Sequence, residues 1–273
     1  MNGPHGVTVV QALILGIIQG LSEFLPISSS AHLTLAPWIM RWDDPGLSFD
    51  VALHFGTLLA LVWFFRQEWI TLAGALGTIL RRRRIETESE RRLVWLVIAT
   101  LPGAVAGVLL QKHADTVFRA PALIAAMLMV MGVLLWMVDR LARRQRGLES
   151  MRWTEALAIG LAQMFAIIPG VSRAGSTITA GRALGLSREA AAVFSFLMSL
   201  PIIAGAALHE MPRAVREGGS SLPLVIGVLA SAISGCLSIG VLLKYVARHS
   251  YGVFALYRLI VGGAVLALVV WRA

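Results

Sequence analysis

Ile168-Pro-Gly-Val-Ser172-Arg173-Ala-Gly-Ser176-Thr177-Ile-Thr179 interrupts an apolar chain with a Pro-Gly break, four hydroxyls and a guanidinium within twelve residues. A second island stands nearer the start: Gln19-Gly-Leu-Ser-Glu23-Phe-Leu-Pro26-Ile-Ser28-Ser29-Ser30-Ala-His32. Apolar segments flank both. Of the 273 residues, 57% are hydrophobic and 14% charged, and the mean hydropathy is +0.76, so the flanking segments read as lipid-embedded. An ionisable side chain at bilayer depth is costly and marks function by default. Backbone at that depth must be helical or enclosed by protein. The chain therefore reads as an all-α polytopic membrane protein forming a single integral membrane domain, 1–273, with function concentrated in the two islands.

Working outward from the first island, residues 7–25 are apolar up to Pro26 and residues 28–38 form a shorter segment, each too short to cross a bilayer that needs about 20 residues. A helix, a proline break and a second helix opened by a serine run predict a re-entrant helical hairpin, with Ser28 as N-cap. The pattern returns at residues 153–168, followed by the Pro169-Gly170 break and a polar segment reaching residue 186. Six spans are expected at residues 49–65, 93–110, 121–138, 190–208, 222–243 and 253–271. The halves also match residue by residue: Ala12-Leu13-Ile-Leu-Gly16-Ile-Ile-Gln19 against Ala156-Leu157-Ala-Ile-Gly160-Leu-Ala-Gln163, then Pro26-Ile-Ser28 against Pro169-Gly-Val-Ser172. The expectation is an internal repeat, 7–138 and 153–271, each copy holding one hairpin and three spans. An odd number of spans inverts the second copy, an arrangement whose sites lie at the repeat interface near the midplane.

The net charge is +9, but the basic residues cluster between apolar segments instead of forming an aromatic-interleaved basic domain, so no nucleic-acid partner is expected. They set topology. Arg66, Arg81, Arg82, Arg83, Arg84, Arg91 and Arg92 follow the first span in what reads as a loop, and Arg140, Arg143, Arg144, Arg146 and Arg152 follow the third. Lys244 and Arg248 follow the fifth. The intervening loops are lighter, with Lys112 and Arg119, then Arg213 and Arg216. The positive-inside rule puts the heavy loops in the cytoplasm and both termini outside. Arg182 and Arg188 read as solvated charges on the cytoplasmic side. The single cysteine, Cys236, excludes an intramolecular disulfide and reads as packing. The first residues lack the basic flank and cleavage site of a signal peptide and are expected to stay in the mature protein.

Within the first island Gln19 and Glu23 share a helix face, four residues apart, while Ser29 and His32 face each other three residues apart on the next helix. A bland alternative pairs Glu23 with His32 at a bundle interface. In the second island, backbone N–H groups at a helix start, the helix dipole and the planar fork of Arg173 make an anion site suited to phosphate. Its bland alternative has Arg173 snorkelling to the interface. Carboxylate, imidazole, hydroxyls and arginine together point to phosphoryl chemistry on a lipid.

The pairing of Gln19-x-x-x-Glu23 and Pro26-x-Ser28-Ser29-x-x-His32 with Pro169-Gly-x-Ser172-Arg173, running on to Thr177, resembles the two signature motifs of the bacterial undecaprenyl-diphosphate phosphatases, the bacitracin-resistance proteins, over essentially the full length. The resemblance implies hydrolysis of undecaprenyl diphosphate to undecaprenyl phosphate, recycling the carrier lipid for peptidoglycan in the plasma (inner) membrane, with a divalent cation, Mg²⁺ or Ca²⁺. By motif position it implies catalytic roles for Glu23, Ser29, His32 and Arg173, with Glu23 also the metal ligand. Substrate binding would fall to Gln19, Ser28, Ser172, Gly175, Ser176 and Thr177. Two positions depart from the commonest pattern: Gln19 stands where an acid is usual, weakening a two-carboxylate metal site, and Ala174 where a serine is usual. The attacking group is either Ser29 or water, with His32 placed to handle the proton. The implied partners are a polyprenyl diphosphate lipid, the bilayer and, in an assembly, a second copy of the chain as a homodimer. A site opening outward is favoured. A flippase or transporter of an anionic polyprenyl phosphate lipid is the alternative, since inverted repeats with paired hairpins are transporter architecture.

Overall fold

The computed structural model describes residues 7–114, 120–142, 145–217 and 221–272. Asp115, Arg119, Arg143 and Arg144 lie outside the described residues, as do the side chains of Lys112, Arg213 and Arg216. The first hairpin is α1 (Val9–Phe24) and α2 (Ser29–Met40); the second is α7 (Trp153–Met164), a 3-10 turn (Phe165–Ile167) and α8 (Arg173–Ala183). Between them run α3 (Leu47–Phe64), α4 (Arg66–Arg82), α5 (Glu88–Ala114) and α6 (Pro121–Leu141). The chain finishes with α9 (Arg188–Glu217), α10 (Ser221–Val246) and α11 (Gly252–Arg272).

Both breaks have the same local cause. The residue before each proline is extended, Leu25 at ψ 141° and Ile168 at ψ 114°, as a proline ring requires of its predecessor. Each second helix then starts from a serine with positive φ, Ser28 at 77° and Ser172 at 72°. Each of these serines accepts a hydrogen bond from the backbone N–H three residues on, Ser28 from Ala31 at 3.4 Å and Ser172 from Gly175 at 3.0 Å. The expected N-cap at Ser28 is therefore present, and Ser172 repeats it.

Among the described residues five helices are long and apolar enough to cross a membrane, in α5, α6, α9, α10 and α11, and α3 with α4 makes a sixth crossing if the pair is taken together. This corrects one expectation. Residues 66–82, read as loop because arginines bracket them, are helical, and α4 turns away from α3 by 79° at Phe65. Trp69, Leu72, Ala75, Leu76 and Ile79 recur three and four apart, enough to make one helix face, and Leu72 and Ala75 are buried.

The helices of one half pack on those of the other in exchanged pairs. α1 lies on α10 and α7 on α5; α3 lies on α10 and α9 on α5; α3 meets α9 and α6 meets α11. Small residues set the close approaches at matching positions. A Cβ on Gly16 would come 2.3 Å from the Gly227 carbonyl oxygen, and one on Gly160 2.4 Å from that of Ala99. Both close contacts fit the small-residue rule for helix pairs in lipid.

A second correction concerns Arg182 and Arg188, expected to be solvated. The Arg182 side chain is fully buried, and that of Arg188 is 26% exposed. Asp139 of α6 accepts from Nε of each at 2.9 Å, and from the Tyr251 N–H at 3.0 Å. Arg182 also donates to the carbonyls of Leu186 and Ala142. Asp139 thus ties the ends of α6 and α8 to the starts of α9 and α11. A buried guanidinium is tolerable because a carboxylate and two carbonyls replace its water.

Candidate active site

Glu23 lies at the end of α1 with 6% of its surface exposed, and donors from four elements converge on it. Its Oε1 accepts from Nη2 of Arg173 at 2.7 Å. Its Oε2 accepts from the Ser29 hydroxyl at 2.5 Å and from Gln19 Nε2 at 3.0 Å, and His54 Nε2 stands 3.3 Å away. The expected Gln19–Glu23 pair is thus present. Arg173 opens α8 and also reaches the Ser195 carbonyl with Nη1, at 3.2 Å, so the carboxylate of the first hairpin is joined to the guanidinium of the second. A buried pair of this kind is one in which removing either member is expensive. It also holds Arg173 on a buried carboxylate, against the snorkelling alternative.

Two further bonds lock the hairpins together. The Gly170 N–H donates to Ser28 Oγ at 3.1 Å, and this works because Gly170, at φ 97°, has no side chain: a Cβ would stand 2.5 Å from the Ile124 carbonyl oxygen. Arg258 of α11 donates to the Pro26 carbonyl on one break and to the Gly170 and Val171 carbonyls on the other.

His32 is not where the sequence put it. Its Nδ1 lies 2.7 Å from the Ser28 carbonyl oxygen, so it carries the hydrogen; Nε2 then accepts from the Tyr257 hydroxyl at 2.7 Å, with the two rings stacked. The imidazole is bound to Ser28 and Tyr257, and the Ser29 hydroxyl is bound to Glu23. The bland Glu23–His32 pair is absent among the described residues. Ser176 and Thr177 turn their hydroxyls back to the Arg173 carbonyl, at 3.0 and 2.8 Å, and Thr177 also meets Ser195 Oγ at 2.7 Å. They brace the first turn of α8 and hence Arg173, while Gly175 donates its N–H to the Ser172 cap.

His54, Ser195, Tyr257 and Arg258 were missed from sequence. Three of them are ionisable groups inside apolar spans, a signal the cost of burial in lipid supplies. His54 holds its Nδ1 2.7 Å from the Asp50 carbonyl oxygen. That acceptor requires a hydrogen on Nδ1, which leaves the opposite nitrogen facing Glu23.

Among the described residues no three His, Cys, Asp or Glu side chains cluster around a common point. Glu23 is surrounded by proton donors, and Gln19 Oε1 is buried beside it with no hydrogen-bond partner among the described residues. The oxygens present suit a hard divalent cation that arrives with the phosphates of a ligand, since Mg²⁺ commonly takes one or two protein oxygens and fills its shell with phosphate and water.

A carboxylate bound to a serine hydroxyl, beside an arginine at a helix N-terminus and enclosed by helices, is equipped to bind a phosphate and transfer it. Residues 12–264 match the family model described as bacitracin resistance protein BacA. The chain belongs to the BacA family. Relatives agree over their whole length: an undecaprenyl-diphosphatase of Gemmatimonas aurantiaca is 56% identical across 97% of this chain and 99% of its own. Undecaprenyl-diphosphatases of Pelotomaculum thermopropionicum and Moorella thermoacetica are 53% and 48% identical, covering 97% and 96% of this chain and 98% of each relative. Within this BacA chain the two islands singled out from sequence meet at the Glu23–Arg173 pair.

Proposed function

We propose that this protein hydrolyses undecaprenyl diphosphate to undecaprenyl phosphate and inorganic phosphate, returning the carrier lipid to peptidoglycan synthesis and conferring resistance to bacitracin. The observation that carries the reading is the Ser29 hydroxyl donating to Glu23 at 2.5 Å while Arg173 holds the other carboxylate oxygen at 2.7 Å. Nucleophile, base and phosphate-binding cation are thus in register before substrate arrives.

Arg173 and the N–H groups at the start of α8 bind the diphosphate. Ser29 Oγ attacks the terminal phosphorus, its proton passing to Glu23 Oε2, and the bond from that phosphorus to the bridging oxygen breaks. Glu23 gives its proton to the departing undecaprenyl phosphate and is ionised again. Water then attacks the phosphoserine; Glu23 takes a proton from the water and returns it to the Ser29 oxygen as inorganic phosphate leaves. His54, hydrogen-bonded to the Asp50 carbonyl, keeps Glu23 oriented. His32 stands on the same helix as Ser29 and meets α11 through Tyr257. A divalent cation, Mg²⁺ or Ca²⁺, would be held by Glu23 and Gln19 Oε1 and would neutralise phosphate charge.

The setting proposed is the bacterial plasma (inner) membrane, with both termini outside and the site opening outward. The two halves are proposed to be inverted repeats, 7–138 and 153–271, a reading supported by the exchanged helix pairs. That same exchange favours one second reading, a flippase of an anionic polyprenyl phosphate lipid. The two separate in detergent, where no bilayer remains to cross. Release of inorganic phosphate from a prenyl diphosphate by the purified protein supports the phosphatase. Binding of the lipid without phosphate release would leave the flippase.

A further inference from the structure

Arg258 has no exposed surface and no carboxylate partner among the described residues. Its Nε donates to the Leu128 carbonyl at 3.1 Å, Nη1 to Pro26 at 2.9 Å, and Nη2 to Gly170 at 2.5 Å and Val171 at 3.1 Å. These four carbonyls belong to α6 and to both hairpin breaks. One guanidinium thus holds the two breaks in fixed register, and its planar fork is what lets it reach several carbonyls at once.

Carbonyl oxygens solvate a cation but do not neutralise it. Glu23 does not serve either, because its charge is already matched by Arg173 at 2.7 Å. A bare cation in a membrane interior is costly unless something completes it. Four of the five guanidinium N–H groups have carbonyl partners; the second hydrogen on Nη1 has none among the described residues. That nitrogen lies 2.9 Å from where a Cβ on Gly175 would sit, so it faces the first turn of α8, where Arg173 and the Ser172 cap also stand. The missing side chain at Gly175 leaves it room.

We infer that Arg258 is a positioning residue of this site: it fixes both hairpin breaks in register, and its unmatched charge is completed by the diphosphate. The inference rests on the phosphatase reading, and the parent enzyme's own phosphate release in detergent tests that reading separately.

The test compares kcat, KM for a prenyl diphosphate and inhibition by inorganic pyrophosphate in Arg258→Lys, Arg258→Gln and the parent, alongside thermal unfolding. Arg258→Lys keeps the charge and loses the fork, so KM and pyrophosphate inhibition stay within about threefold while kcat falls at least about tenfold. Arg258→Gln loses the charge as well, so KM and the pyrophosphate inhibition constant rise at least about tenfold. A purely structural arginine would give losses that track unfolding temperature in both variants, with pyrophosphate inhibition unchanged, and that result overturns the inference. If neither variant folds, Gly175→Ala keeps Arg258 and pushes a methyl against Nη1. Raised KM and weakened pyrophosphate inhibition there support the inference, and parent values for both refute it.

Discussion

Glu23→Gln preserves the shape of the side chain and changes what it can accept. The carboxylate receives Arg173 on Oε1 and Ser29, Gln19 and His54 on Oε2. An amide has one acceptor oxygen and one NH₂. Turned one way, the NH₂ meets the Arg173 guanidinium; turned the other, it meets three donors. Either way Arg173, whose side chain is 12% exposed, loses its counter-charge. Breaking a buried pair from one side costs about 3–5 kcal/mol, and at the low end that lowers the unfolding midpoint of a chain this size by roughly 6–12 °C. Turnover falls at least about a hundredfold because the base for Ser29 is gone. Binding moves in the opposite direction: Arg173 is freed, so inorganic pyrophosphate raises the midpoint of the variant more than that of the parent. Thermal unfolding in detergent with and without pyrophosphate, beside a phosphate-release assay, reads both. A variant working at more than about a tenth of the parent rate, roughly 1.4 kcal/mol of barrier, would refute the role of Glu23 as base. Equal pyrophosphate protection of both proteins would refute the pairing with Arg173.

Arg173→Lys keeps a charge but cannot hold Glu23 and the Ser195 carbonyl together while offering a planar face to phosphate; turnover is expected to drop about a hundredfold or more with folding intact, and near-parent kcat/KM would place the anion site elsewhere. Tyr257→Phe removes the hydroxyl that donates to His32, a bond of about 1 kcal/mol, so the unfolding midpoint should fall by roughly 2–4 °C, and an unchanged midpoint would show that this bond holds nothing together. For topology, a reporter enzyme fused after Arg84 should report cytoplasm and one fused between Arg213 and Gly219 the outside; the reverse pattern would contradict the proposed orientation.

The hairpins were legible because their cause is local. A proline forces its predecessor extended and a serine caps the next helix, so Leu25-Pro26 and Ile168-Pro169 announce the breaks without tertiary information. Most of the site was legible for the same reason, since Gln19, Glu23, Ser29 and Arg173 sit at those breaks. His54, Tyr257 and Arg258 have no break beside them; each is a polar residue in the run of a regular helix, brought to the site by tertiary packing. His32 was misjudged because three-residue spacing on a helix permits contact with Ser29 without requiring it. The Ser28 carbonyl and Tyr257 compete for the ring, and Glu23 for the hydroxyl. Arg182 looked solvated because Asp139, which makes its burial tolerable, lies 43 positions away. The helix at residues 66–82 was hidden by the arginines at its two ends, which carry topology information and say nothing against helix.

The account turns most sharply on Ser29, whose hydroxyl is bound to Glu23, the carboxylate that also holds Arg173 of the second hairpin. Phosphate release by Ser29→Ala, measured in detergent against the parent, tests it directly. If Ser29 attacks phosphorus, the variant releases no phosphate at any pH, and a phosphoserine at Ser29 is recovered from the parent quenched in acid during turnover. Turnover of Ser29→Ala above about a tenth of the parent rate, with no phosphoenzyme in the quenched parent, would contradict it and make water the nucleophile.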